Sequence, residues 1–535
     1  MSTPMGYLAI VLHAHLPFVR HADGEHYLEE KWFYEALIET YIPLYIVLSR
    51  LAAEGVPYRI TISVSPTLLS MFRDPLLQTR FSTYMNNLID LAEQEVARTR
   101  WLPQFHEIAK MYRDRFRAAR DVYWNDLGGD MTVGLQELSD SGRVELITTA
   151  ATHGYLPLME VCPEATRAQI RAGVEYFRQV FGFGPKGFWL PECGYSPGID
   201  GYLKEAGIAY FFTDSHGLLN ASVRPRYGVY APVYCRSGIA AFGRDMESSK
   251  QVWSAQEGYP GDYDYREFYR DIGHELDWES IKHLMGNCSV RLQTGLKYYR
   301  VTGRTDHKEP YVRQWALEKA ATHAGNFVFN RERQVEYLAS VMDRTPIIVA
   351  PYDAELFGHW WFEGPEFLDY VIRKIAYDQN TIELATPSDY LKLHPRNQVT
   401  TPSMSSWGYM GYSEVWLADC NNWIYRHLHT IAWRMTDLAN SHPHPQPELT
   451  RRALAQAARE LLLAQSSDWA FIMKAGTCVD YAKKRVETHV ARFLRLYDDI
   501  KASTIDPGWL AEIEEQSNIF PDIDYTVYAG AQASS

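Results

Sequence analysis

The stretch YLAIVLHAHLPFV, residues 7–19, opens with six apolar residues, Tyr7 to Leu12, and breaks abruptly into His13 and His15. A run of that length has the character of a parallel strand buried on both faces, so polar side chains enter only where the strand leaves the core. Working outward, the same text recurs. Arg59 to Ser65 runs into Pro66, Val144 to Ala151 into Thr152-His153-Gly154, and Gly187 to Leu190 into Pro191-Glu192. Ala209 to Thr213 runs into Asp214-Ser215-His216, and Pro346 to Ala350 leads to Asp353. Such runs alternate with helical text as far as about Leu393, the pattern of βα units around a parallel sheet. The expected fold is α/β, a barrel whose C-terminal strand ends gather the chemistry.

The barrel is expected to fill residues 1–395. Between Phe72 and about Ser141 the strand signal gives way to charged helical text such as Asn87 to Arg98 and Phe105 to Trp124, read as a helical insertion at about 72–142. LHPRNQVTTP, Leu393 to Pro402, is polar and carries two prolines, as a linker would. Beyond it, Asn421 to Leu438 and Leu449 to Gln465 space apolar residues by three and four around the breaker SHPHPQPE. An all-helical C-terminal domain is expected at 403–520, followed by a frayed tail, 521–535.

The net charge of −13 comes without a basic cluster, which argues against nucleic acid and anionic membrane surfaces and for a neutral substrate. The 15 Trp and 36 Tyr offer flat faces with polar edges, which suit sugars as well as cores. Cys162, Cys193, Cys235, Cys288, Cys420 and Cys478 include no CxxC pair, so a reducing cytoplasm is the simplest setting. Neither a secretory leader nor a membrane-spanning segment is expected.

Glu192 stands where a strand breaks at a proline, and Asp353 follows IIVAPY with Glu355 two residues on. A carboxylate at such a place is costly unless solvated, paired or functional, although a capping or surface role is the commoner fate of a loop acid. Two acids from two strand ends suit glycosidic chemistry, and their separation decides between retention and inversion. His13 and His15, two apart on a strand end, face the same way. They are either metal ligands, completed by His153 or Asp214, or hydrogen-bonding groups for a polyhydroxylated substrate. Trp32, Trp253, Trp278, Trp360, Trp361, Trp407, Trp416 and Trp469 divide between cleft and core, and SSWG (405–408) and SSDW (466–469) read as cleft walls from the C-terminal domain.

Five segments in order resemble the motifs of glycoside hydrolase family 57: HAHLPFV at His13 to Val19, GRVELITTAATHG at Gly142 to Gly154, GFWLPECGY at Gly187 to Tyr195, APYDAELFGHWWFEG at Ala350 to Gly364, and SSWGYMGYSEVW at Ser405 to Trp416. The resemblance implies a (β/α)7 barrel with a helical insertion and a helical C-terminal domain, working on an α-glucan without metal or other cofactor. It implies Glu192 as nucleophile and Asp353 as general acid/base of a retaining reaction. The substrate contacts expected with it are His13, His15, Trp32, His153, Tyr234, Trp278, Trp360, Trp407, Trp416 and Asp468. Cys193, the His359-Trp360-Trp361 triplet and VWSAQEGYPGD (Val252 to Asp262) resemble the family's branching subgroup, which carries a cleft-covering loop, here expected at about 234–262 with Tyr234 at its tip. The expected activity is cleavage of α-1,4 linkages and formation of α-1,6 branches in a glycogen-like polymer. The rivals are a 4-α-glucanotransferase or α-amylase on the same scaffold, a zinc amidohydrolase or polysaccharide deacetylase, and a glycan-binding protein with a dead site.

Overall fold

β1 (Gly6–Ala14) is buried along its whole length, as its apolar run dictates. The protein is described from a computed structural model over residues 4–24, 27–254, 256–282, 291–444 and 446–530. Among the described residues one sheet contains β1, β2 (Ile60–Val64), β3 (Val144–Thr149), β4 (Gly187–Trp189), β5 (Tyr210–Thr213), β6 (Val233–Tyr234), β7 (Ala240–Gly243), β8 (Ile347–Asp353) and β9 (Ile382–Leu384). The spatial order is β6-β7-β5-β4-β3-β2-β1-β8, with β9 beside the start of β1. Every pairing is parallel except that of β6 with β7. Backbone bonds from Asp245 N–H to Val349 C=O (2.8 Å) and from Ile347 N–H to Tyr230 C=O (2.9 Å) draw the two sides of the curled sheet together. The arrangement is the expected (β/α)7 one, with β6 and β9 as short additions.

Strand parity decides what faces the mouth. Tyr7, Ala9 and Val11 pack with Ile147, Trp189, Phe212, Phe242 and Val349, while Leu8, Ile10 and Leu12 join the cluster that includes the surrounding helices. The interior parity continues to His13 on β1 and Asp353 on β8, which are register partners. Helices Pro75–Arg98 and Pro103–Asp121 occupy the region between β2 and β3, and five helices between Trp423 and Gln516 form the C-terminal part.

Three expectations change. Tyr234 and Ala240 to Gly243 are paired strand residues, so the first part of segment 234–262 belongs to the sheet rather than to a loop over the cleft. Residues 521–528 are not frayed, because Tyr525 and Tyr528 are buried. Leu28–Ala53 is long and apolar enough to cross a membrane, but a π-helical turn at Leu37–Tyr41 interrupts it and 67% of its most apolar window is buried, as in a core helix. Of the cysteines, Cys288 lies outside the described residues and the other five are unpaired.

Candidate active site

After β4 the chain turns through Pro191 and holds two consecutive non-glycine residues in the left-handed region, Glu192 (φ 61°) and Cys193 (φ 49°); His153, after β3, is a third (φ 56°). Such conformations persist only where their surroundings enforce them, and they concentrate at functional sites. Here the enforcement comes from the segment after the linker. Tyr195 and Ser405 exchange backbone bonds (2.9 and 3.1 Å), and the Trp407 N–H donates to the Glu192 carbonyl (3.0 Å). The Trp407 indole N–H then donates to Glu192 Oε2 (2.9 Å), and the Ser467 hydroxyl to Oε1 (3.2 Å). Burial pushes Glu192 up to about 7, against the lowering effect of the Trp407 bond.

Asp353 shares the desolvation but lacks the donors. Among the described residues its carboxyl has no hydrogen-bond partner, and burial, with the nearby Glu355 and Glu192 charges, holds it well above the usual carboxylate range. Glu355 is fixed by the His15 backbone N–H (3.1 Å) and the Tyr41 hydroxyl. Tyr41 closes the π-helical turn, a feature that often marks functional positions.

The three expected histidines converge. His13 stacks on Trp189 (4.5 Å, 8°), and its Nε2 lies 3.0 Å from His153 Nε2. Burial lowers both rings well below the ordinary histidine value, so they are neutral. An ionised Glu192 then fixes the tautomers: the Ser467 hydroxyl donates to Glu192 and must accept from His153 Nδ1–H (3.0 Å). His153 Nε2 therefore accepts from His13 Nε2–H, and His13 Nδ1 accepts from the Ser63 hydroxyl (3.1 Å). A single hydrogen-bond chain thus runs from β2 to the Glu192 carboxylate. His15 stacks on His153 (3.8 Å) and bonds Asp468 (3.1 Å). Burial lowers His15, but Asp468, with the Glu355 and Glu192 charges, more than offsets it and raises the ring overall. His15, His153 and Asp468 also bring three ligand-type atoms within 4.8 Å of one another, yet both His153 nitrogens are already engaged, so a metal would have to break that chain.

The aromatic residues separate clearly. Trp407 touches Glu192, and Trp360 is 56% exposed, stacked on Phe268 (4.7 Å), with its backbone N–H on the Glu355 carbonyl (3.2 Å). Trp32 meets Tyr481 edge-on, and the ring contact of Trp278 is with Arg291, remote from the two carboxylates in its contacts. Two expectations are corrected. Trp416 is 1% exposed and lies flat on Tyr155 (4.4 Å, 15°), so it is a packing residue with no face for a sugar. Tyr234 pairs with Ala240, the first residue of β7, and its hydroxyl bonds the Pro395 carbonyl (3.2 Å); it sits at the N-terminal edge of the sheet, opposite the site, and cannot tip a lid over it. Sequence reasoning did not single out Ser63, Tyr41 or Ser467 as individual site residues. Only Ser467, within SSDW, carried a local signal.

A family model described as glycosyl hydrolase family 57 matches residues 9–334, and one described as 1,4-alpha-glucan branching enzyme, C-terminal, matches 427–528. A 1,4-alpha-glucan branching enzyme of Thermococcus kodakarensis is 36% identical, over 96% of this chain and 77% of that protein. Among solved structures, one titled a novel alpha-amylase, AmyC, from Thermotoga maritima is 42% identical with a TM-score of 0.93, covering 98% of this chain and 99% of its own. A GH57-type branching enzyme from Pyrococcus horikoshii is 34% identical with a TM-score of 0.89, covering 99% of this chain and 97% of its own.

Proposed function

The chain belongs to glycosyl hydrolase family 57, and from that premise we propose that it is a retaining α-glucan transglycosylase, a 1,4-α-glucan branching enzyme. The observation that carries the catalytic assignment is the contrast between its two carboxyl groups. Glu192 is held by two donors that favour its ionised form, whereas Asp353, half-buried, has no such donor among the described residues and keeps its proton more tightly. Burial raises both, but the donors hold Glu192 at about 7 while Asp353, without them, lies well above the carboxylate range, so Glu192 ionises first, the order that nucleophile and general acid require.

In the reaction Asp353 protonates the leaving oxygen of an α-1,4 linkage while Glu192 attacks the anomeric carbon, giving a glycosyl-enzyme and a shortened chain. As the Glu192 charge is consumed, the bonds from Trp407 and Ser467 weaken, so these groups orient the attacking lone pair and stabilise the departing carboxylate in the second step. Asp353, now ionised, takes the proton from the acceptor. A glucan 6-hydroxyl yields an α-1,6 branch, a 4-hydroxyl yields disproportionation, and water yields hydrolysis. His13 and His153 keep neutral rings at the base of the site, and His15 and Asp468 present polar edges to the sugar hydroxyls. Trp32 and Trp360 contact the glucan in this proposal, and Trp278 contacts it outside this cluster.

The likeness to the Thermotoga maritima protein, described as an alpha-amylase, keeps hydrolysis as the second reading. Incubating purified protein with amylose and counting α-1,6 anomeric protons against released reducing ends decides between them. New α-1,6 linkages are expected; reducing ends alone would assign an amylase. A cytoplasmic role in building a glycogen-like polymer completes the proposal, supported by five unpaired cysteines.

A further inference from the structure

We propose that residues 408–412, which follow Trp407, form a stacking platform for the acceptor glucan chain, and that His216 is the positioning residue that locks this platform beside Glu192. The inference rests on the transglycosylase reading above. Tyr409 (75%), Met410 (67%) and Tyr412 (44%) expose three large apolar side chains within four residues. Isolated exposed apolar residues need no explanation, but a cluster at the lip of a site marks a surface that something covers.

The loop is not loose. Ser406 N–H donates to the Gly411 carbonyl (2.8 Å), Gly411 N–H to that of Gly408 (2.9 Å), and the Ser406 hydroxyl to that of Tyr412. Met410 (φ 65°) is held in the left-handed region without being glycine, and Gly411 (φ 82°) is there too. A Cβ on Gly411 would lie 2.9 Å from His216 Nε2, so glycine is required for the close approach. That nitrogen donates to the Gly411 carbonyl (2.7 Å), and the His216 ring meets Tyr412 edge-on (5.6 Å). His216 Nδ1 faces Asp214 (3.1 Å), Asp214 pairs with Arg244 (3.2 Å), and the Arg244 guanidinium lies over Trp407 (5.6 Å). Because both His216 nitrogens meet acceptors, the ring holds both protons. The contacts close a ring from Trp407 through the loop to His216, Asp214 and Arg244, and back to Trp407, whose indole holds Glu192.

A strained, tightly bonded loop that displays aromatic faces is a surface built for a ligand rather than a leftover. Sugar rings stack on such faces with their hydroxyl edges free. Transfer needs a second chain presented to the glycosyl-enzyme, whereas water needs no platform. The platform therefore governs the choice between transfer and hydrolysis.

The test is amylose conversion by the full chain, read as α-1,6 linkages per reducing end released. In Tyr409→Ala and Tyr412→Ala this ratio should fall about three- to tenfold, the effect of losing one stacked ring. His216→Ala should lower it similarly, and His216→Gln, which still donates to the Gly411 carbonyl, should recover most of it. Should His216→Ala unfold, the exposed Tyr409 variant carries the test alone. Ratios unchanged in both tyrosine variants, or equal loss of branching and hydrolysis, would overturn the platform while normal wild-type branching left the enzymatic reading intact. Wild-type product without α-1,6 linkages would overturn that reading and the platform with it.

Discussion

Replacing Glu192 by glutamine should abolish turnover and at the same time stabilise the fold, increasingly so as pH rises from about 4.5 to about 7. Burial lifts this carboxyl from its ordinary 4.5 to about 7. Its folded-state pKa is raised, so between those values the folded protein binds more protons than the unfolded chain, and stability falls as pH rises through that window. The penalty is absent below about pH 4.5, fully developed above about pH 7, and amounts to about 3 kcal/mol if the whole rise is realised. The side chain is only 16% exposed, so solvent screening removes little of it. Glutamine has no charge to desolvate, its carbonyl accepts from Trp407, and its amide can donate to Ser467. For 535 residues an unfolding entropy of roughly 1 kcal/mol/K is expected, so the Tm gain at pH 8 is about 2 to 3 °C and near zero at pH 4. Scanning calorimetry at one fixed scan rate measures this difference. A glutamine variant no more stable than wild type at pH 8, or equally stabilised at both pH values, would refute the claim that this site holds its nucleophile against a desolvation cost.

Trp407→Phe removes the N–H that holds Glu192 down, so the acid limb of kcat/KM should move up by about one pH unit; an unmoved limb refutes the role. Asp353→Asn should suppress both steps, yet substrates with good leaving groups should still label Glu192, and a peptide-mapped adduct elsewhere would refute the nucleophile assignment. His13→Ala should slow turnover without changing metal content, whereas stoichiometric zinc that tracks activity would support the amidohydrolase reading. Trp416→Ala should cost about 3 to 5 kcal/mol of stability as a core truncation, and Tyr234→Phe should leave the ratio of branching to hydrolysis unchanged. A soluble Trp416 variant of native stability with weakened substrate binding, or a Tyr234 variant with altered product ratio, would reverse those two corrections.

What was legible in the sequence follows from the both-faces burial of parallel strands. An apolar run must end where polarity begins, so Glu192, Asp353, His13, His15 and His153 announced themselves, and β1 to β5 and β8 with them. β7 escaped because AAFG is too short and too poor in branched residues to look like a strand, and its pairing with β5 is what defines it. The aromatic residues show the limit most clearly. Trp407 and Trp416 share one motif, yet one bonds Glu192 and the other is sealed against Tyr155. In an irregular loop no periodicity sets side-chain direction, so packing alone separates them. Likewise Glu192 meets Trp407 across 215 residues and Ser467 across 275. The sequence by itself determined which groups are available at the strand ends; the docking of the C-terminal segments onto the barrel decided which carboxylate is held by donors and which is left with its proton, because hydrogen bonding and desolvation depend on neighbours that the chain supplies from far away.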